Sequence, residues 1–271
     1  MTAGRALAIA CAALLAIVGC SSDDDANESA SFDFTEDDIE RMQEINSRIE
    51  TTLEQLDEDG NVIDSSRWRS DFESAVLEVR AGGCGPQDAV GSASLIGDRH
   101  AVTAAHVVAG ADAVEVIDRG GERHRVEVVF FDPALDVALL LTPADLGEPL
   151  GFYDGDIDGG MLGRVSLTRR TDDRVAVETA SVEILRHVDI DTTDIYRDRD
   201  VTRPGFEIEA NVDPGDSGAV VTIGGAAAGI IWARSIESPN RAWAVDLPDT
   251  IREPSARRAL VDAVDLGPCI E

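Results

Sequence analysis

The sequence predicts an all-β protein built in two halves. Three observations carry this. After Trp68 the chain is a succession of short runs of Val, Ile, Ala and Leu, with Gly, Asp and Pro placed between them roughly every eight to twelve residues. A stretch from Thr142 to Ile157, with Pro143, Pro149 and several Gly and Asp, divides these runs into two sets of comparable length. No apolar run at helical spacing alternates with the strands, which argues against a parallel βα architecture.

The first set comprises Ala75 to Arg80, Ala89 to Ile96, a strand entering a short turn within Ala101 to Val108, Ala113 to Ile117, Arg125 to Phe131 and Val137 to Leu141. The second comprises Met161 to Leu167, Val175 to Ile184, Gly205 to Glu209, Ala219 to Ile223, Ala228 to Trp232 and Ala242 to Val245. From Asp249 to Asp265 the spacing of Ile251, Leu260, Val261 and Val264 predicts a terminal helix. No internal sequence repeat accompanies the two halves.

Residues 35–60 read differently. Ile39, Met42, Ile45, Ile49, Leu53 and Leu56 recur at steps of three and four, Thr35 and Asp38 form a capping box, and Gly60 ends the run. This is one amphipathic helix, which packs on the domain or forms a coiled-coil stalk. Residues 20–34 are rich in Asp and lack large aliphatic side chains, as in a solvated tether.

Composition narrows the function. The 271 residues hold 23 basic and 53 acidic side chains, a formal net charge of −30, and every basic residue is Arg. A surface this acidic repels nucleic acid. The 44% hydrophobic content, poor in aromatics at 4%, suffices for a core of small aliphatic side chains and excludes wholesale disorder.

Ahead of the tether, Arg5 precedes an uncharged run from Ala6 to Val18, too short to span a bilayer and suited to the apolar centre of a signal peptide. The run ends Ile17-Val18-Gly19-Cys20 and turns abruptly polar. It resembles the bacterial lipoprotein signal, which implies cleavage after residue 19, acylation of Cys20 and a lipid-anchored protein of the bacterial cell envelope facing periplasm or exterior. An ordinary signal peptide cut elsewhere, or a short anchor, is the alternative. Removal of Cys11 with the signal would leave Cys84 and Cys269 unassigned. Two such thiols in an exported protein point to one disulfide closing a long loop, the alternative being two free buried thiols.

Three segments place a reactive side chain among small residues at a strand end: Thr103-Ala104-Ala105-His106, Asp136-Val137-Ala138-Leu139-Leu140, and Gly215-Asp216-Ser217-Gly218. A hydroxyl attacks well only when a base takes its proton, and an imidazole serves best when a carboxylate holds its tautomer. Ser217, His106 and Asp136 supply nucleophile, base and orienting acid. Gly215 can adopt positive φ, which lets its N–H and that of Ser217 converge on an oxyanion. His100 and His124, near turns among Arg and Asp, are expected at the surface.

With these motifs in the order His106, Asp136, Ser217, the chain resembles the chymotrypsin-like (trypsin-fold) serine peptidases, in particular the HtrA-type bacterial branch without a PDZ domain. Gly91-Ser92-Ala93-Ser94, Gly229-Ile230-Ile231 and Ala242-Trp243-Ala244-Val245 extend the likeness over about residues 72–248. The resemblance implies two six-stranded antiparallel β-barrels, one over about 72–142 and one over about 158–248, within a domain spanning 68–271. It implies hydrolysis of peptide bonds through an acyl-enzyme, a peptide or protein substrate, and no metal or organic cofactor.

It also implies a primary pocket walled by Asn211, Val212, Trp232, Ala233 and Arg234. Asn211 at its base disfavours a basic substrate side chain; Arg234 either attracts an acidic one or points to solvent and pairs with Glu237. No Ile-Val-Gly-Gly-like segment precedes the domain, so Asp216 is expected to pair locally or with an Arg rather than with a new N-terminus. The residues after 248 are too few for a peptide-binding PDZ domain. Oligomeric state is left open. A catalytically inactive peptide-binding protein of the same fold, or a surface interaction protein using the N-terminal helix, is the rival reading.

Overall fold

The computed structural model describes residues 73–270, apart from 98, 144–145 and 172–173. The signal segment, Cys20, the tether and the amphipathic helix lie outside the described residues. Twelve strands form two closed antiparallel barrels. The first is built from β1 (Val76–Gly82), β2 (Ala89–Gly97), β3 (His100–Thr103), β4 (Ala113–Ile117), β5 (Arg123–Asp132) and β6 (Val137–Leu141), in the order β1-β2-β3-β6-β5-β4. The second repeats that order with β7 (Leu162–Thr171), β8 (Arg174–Thr193), β9 (Asp200–Glu209), β10 (Val220–Ile223), β11 (Ala226–Arg234) and β12 (Arg241–Asp246). Topology thus repeats where sequence does not, because closure demands only alternating apolar residues facing inward.

The cores follow from that alternation. Leu77, Val79, Leu95, Val102, Val116, Val128 and Leu139 fill one barrel; Val165, Leu167, Val182, Ile184, Phe206 and Ile208 fill the other. Full burial of each such side chain contributes about 1.5–3 kcal/mol, and closure leaves no long apolar edge for aggregation. The barrels also share apolar contacts, since Val220, Ile230, Val245 and Ile251 belong to the same cluster as the first-barrel core.

Three expectations need correction. β8 runs on to Thr193 and β9 begins at Asp200, so a long hairpin extends past the expected ends at Ile184 and Gly205. Its outer part alternates Val188, Ile190 and Thr192 with Asp189 and Asp191, and cross-strand pairing overrides the poor strand propensity of Asp.

The tail is not one helix. Single turns occupy Asp249–Arg252 and Pro254–Arg258, and Pro254 separates them because it has no N–H to donate. Beyond Ala259 the chain lies along the first barrel: Val264 N–H donates to Val128 O, and Leu266 O accepts from Gly110 N–H, each at 3.0 Å. A disulfide between Cys84 and Cys269 ties its end.

His100 is not at the surface. It is 6% exposed, with Nε2 at 3.1 Å from Leu260 O, because the tail covers it. His124 is half-buried beside Asp118.

Candidate active site

His106 sits on α1 (Ala105–Val108), a single turn leaving β3. Ala104 and Ala105 are wholly buried, and their small side chains let the turn lie on the barrel wall while the imidazole stays 30% exposed. Asp136 closes the turn between β5 and β6. Asp132 Oδ1 accepts from the N–H groups of Ala134 and Leu135 at 2.8 and 2.9 Å, which fixes that turn, and Pro133 presets its φ. The turn ends with Asp136 at φ 62°, a conformation uncommon for a residue with a side chain.

The two residues meet twice. Asp136 Oδ1 accepts from the His106 backbone N–H and Oδ2 lies against His106 Nδ1, both at 2.8 Å. Asp136 is 2% exposed. A carboxylate accepts only, so the ring nitrogen facing Asp136, Nδ1, carries a proton, and Nε2 is the nitrogen left to engage another group.

Ser217 lies on the turn from Asp213 to Gly218. Asp216 N–H donates to Asp213 O and Ala219 N–H to Asp216 O, both at 3.0 Å. Ser217 O accepts from Ser92 N–H at 2.8 Å. Gly218 has φ 85°, and a Cβ there would collide with Ser92 O, Thr103 Oγ1 and Ala104 N. This contact, possible only for glycine, brings the Ser217 turn against the stem of the His106 turn. Ser217 is half-buried, and its Oγ makes no hydrogen bond to His106. Gly215 stands at φ 101°. The N–H groups of Asp216 and Gly218 have carbonyl acceptors, whereas among the described residues none accepts from Gly215 or Ser217. Two backbone donors are thus left for an anion at the Ser217 turn.

Asp216 is 1% exposed and accepts from Arg169 Nη1, from Arg169 Nη2 at 3.4 Å and from Asp213 N–H at 2.7 Å. It therefore pairs both locally and with an arginine. The bond to Asp216 raises the Arg169 pKa above its ordinary value against the opposing pull of burial. Sequence reasoning anticipated an arginine here but not Arg169, which lies 47 positions away.

Of the expected pocket residues, Asn211 and Arg234 are exposed, Val212 is buried, and Ala233 is half-buried. No ion pair joins Arg234 to Glu237 among the described residues. Trp232 is the extra residue of a bulge between Ile231 and Ala233. Bulges re-aim side chains, and its indole packs against the core cluster of the first barrel with the Arg203 guanidinium 4.4 Å from its ring centroid. The last pair between β10 and β11 is Val220 with Ile230. Beyond it, among the described residues, Trp232 to Arg234 have one edge without a strand partner while β12 pairs with the other.

The trypsin-like peptidase domain family matches residues 91–229. Among solved structures, the Rv3671c protease from M. tuberculosis in its active form is 25% identical, with a TM-score of 0.68 over 76% of this chain and 90% of that one. The HtrA-type protease AlgW with a tripeptide is 20% identical, with a TM-score of 0.56 over 71% of this chain and 65% of that chain. The serine endoprotease from Yersinia pestis is 16% identical, with a TM-score of 0.57 over 73% and 69%. No curated protein matches.

Proposed function

The chain belongs to the trypsin-like peptidases, and from that premise we propose that it is an exported, lipid-anchored serine endopeptidase in which His106, Asp136 and Ser217 form the catalytic triad. His106 takes the Ser217 proton through Nε2 as the hydroxyl attacks the scissile carbonyl. Asp136 holds the tautomer and stabilises the imidazolium, which then protonates the leaving amine; water, activated by the same imidazole, releases the acyl group. The N–H groups of Gly215 and Ser217 receive the oxyanion, and losing one such donor typically costs about 2.7–4 kcal/mol of transition-state stabilisation.

The observation that carries this reading is the double hold of His106 on Asp136. The open edge of Trp232 to Arg234 supports an extended peptide as substrate, since such an edge can add one more strand. Ala233 and Arg234 lie on it as specificity residues, and the family resemblance adds Asn211 and Val212, of which Val212 is buried in the second-barrel core. Export is supported by the disulfide, a feature of oxidising compartments. The anchor rests on Cys20. Among the described residues no helix is long and apolar enough to cross a membrane.

The test is labelling of the purified protein with a fluorophosphonate, followed by mass spectrometry. Modification of Ser217, its loss in Ser217→Ala and loss of cleavage of a denatured protein substrate by that variant are expected. A folded protein labelled elsewhere, or cleavage undiminished in Ser217→Ala, would overturn the assignment.

A further inference from the structure

Arg203 is 2% exposed, and a charge at that depth is costly unless its surroundings use it. It stands on β9 opposite Ile190, in the outer part of the β8–β9 hairpin. Its hydrogen bonds go to carbonyl oxygens: Nε donates to Ala134 O at 2.7 Å and Nη2 to Thr193 O at 3.1 Å. No carboxylate forms an ion pair with it among the described residues. If the position only needed filling, an aliphatic side chain would do so without the desolvation cost.

What the guanidinium touches is specific. Ala134 is two residues before Asp136, in the turn that Asp132 braces. The hairpin adds a second clasp on that turn, because Ile195 N–H donates to Pro133 O at 3.1 Å. The guanidinium also lies over Trp232, the bulge residue that precedes Ala233 and Arg234 on the open edge of β11. The surrounding charges are Asp132 and Asp136 on the turn and Asp194 in the hairpin, itself paired with Arg199. Burial pulls the Arg203 pKa down, while Asp136, Asp194 and Asp132 push it back up.

We propose that Arg203 is the positioning residue of the triad: its contacts with Ala134 and Trp232 aim Asp136 at His106 and lock that turn to the strand on which a peptide would lie. This rests on the peptidase reading of the site. A planar fork that donates to a carbonyl in its own plane while stacking on an indole does both at once, which an ammonium cannot.

A double-mutant cycle tests it, with kcat and KM on a fluorogenic peptide and the rate of fluorophosphonate labelling at Ser217 as readouts. Arg203→Met is expected to keep its circular dichroism yet lose about 100-fold in kcat, the usual cost of a small misplacement, with KM changed by less than about threefold. Arg203→Lys recovers part of the loss. In an Asp136→Asn background Arg203→Met should cost less than about threefold, because the residue through which it acts is already disabled. Native rates in folded Arg203→Met, or equal losses in both backgrounds, would overturn the proposal. Should the Met variant not fold, the Lys variant decides by the same comparison. Failure of the native protein to label at Ser217 would instead overturn the peptidase reading, and this proposal with it.

Discussion

Arg169 holds Asp216, the residue immediately before Ser217, by two guanidinium nitrogens from β7. The Ser217 turn is therefore braced by a cation from the second barrel, and Asp216 passes that brace to Asp213 N–H at the start of the turn. Arg169→Met should leave the barrels folded but let the turn relax, lowering fluorophosphonate labelling of Ser217 by on the order of 100-fold, the effect of losing an oxyanion donor. Arg169→Lys keeps charge without the fork and should fall between. Native labelling in a folded Arg169→Met would mean the turn holds its shape without this pair.

Asp136→Asn tests the other half of the site. The amide offers an N–H₂ and one oxygen where the carboxylate accepts twice, so it cannot satisfy both N–H groups of His106 as drawn. A loss on the order of 10⁴ in kcat with normal folding is expected. A loss below about tenfold would show that Asp136 does not orient the base.

Asp194 gives a pH dependence. Desolvation opposes its ionisation, yet the N–H of Asp198, the Arg199 guanidinium and the N–H of Tyr196 outweigh this and hold its pKa below the ordinary 3.8. A depressed carboxylate contributes stability that is complete above its unfolded value and is lost as pH falls through the folded one. Asp194→Asn should thus lower denaturant stability at about pH 6, with the difference from the native protein narrowing toward about pH 2.5. An equal difference at both values would assign its effect to packing.

Cys20→Ser removes the proposed acylation point. Expressed in bacteria, the variant should move from the membrane fraction to the soluble one, since each buried CH₂ of an acyl chain contributes about 0.8 kcal/mol to anchoring. Unaltered fractionation would assign the attachment to another part of the chain.

The bridge between Cys84 and Cys269 spans 185 positions. In the chain-entropy account even a 100-residue loop is worth about 4.7 kcal/mol, reduced in practice by residual order in the unfolded chain. Reduction should lower the melting temperature while Ser217 still labels, because the His106–Asp136 contact does not pass through the bridge. Two alkylatable thiols in the native, unreduced protein would contradict the pairing.

Legibility followed the range of the forces involved. Strands whose pattern is local were readable to the residue, as at Ala113–Ile117 and Val137–Leu141. So were the turns that carry His106, Asp136 and Ser217, because each needs small neighbours in immediate sequence. The outer hairpin escaped because Asp189 and Asp191 depress a strand signal that cross-strand partners restore. Arg203 was not singled out by its neighbours: Ala134 and Trp232, on which it bears, lie in distant segments. His100 looked exposed because its cover comes from Leu260, 160 positions away.

The tail that lies along the first barrel sets an order of assembly. Gly110 and Val128 receive their last backbone partners from Leu266 and Val264, which follow the whole second barrel in the chain. Contacts so remote form late, since the loop entropy is lost before any bonding compensates for it. A chain still emerging during synthesis therefore holds its first barrel without these final seams until the second half has followed. The side chains proposed to cut peptides reach their finished frame only once the segment beyond the second barrel has folded back onto the first.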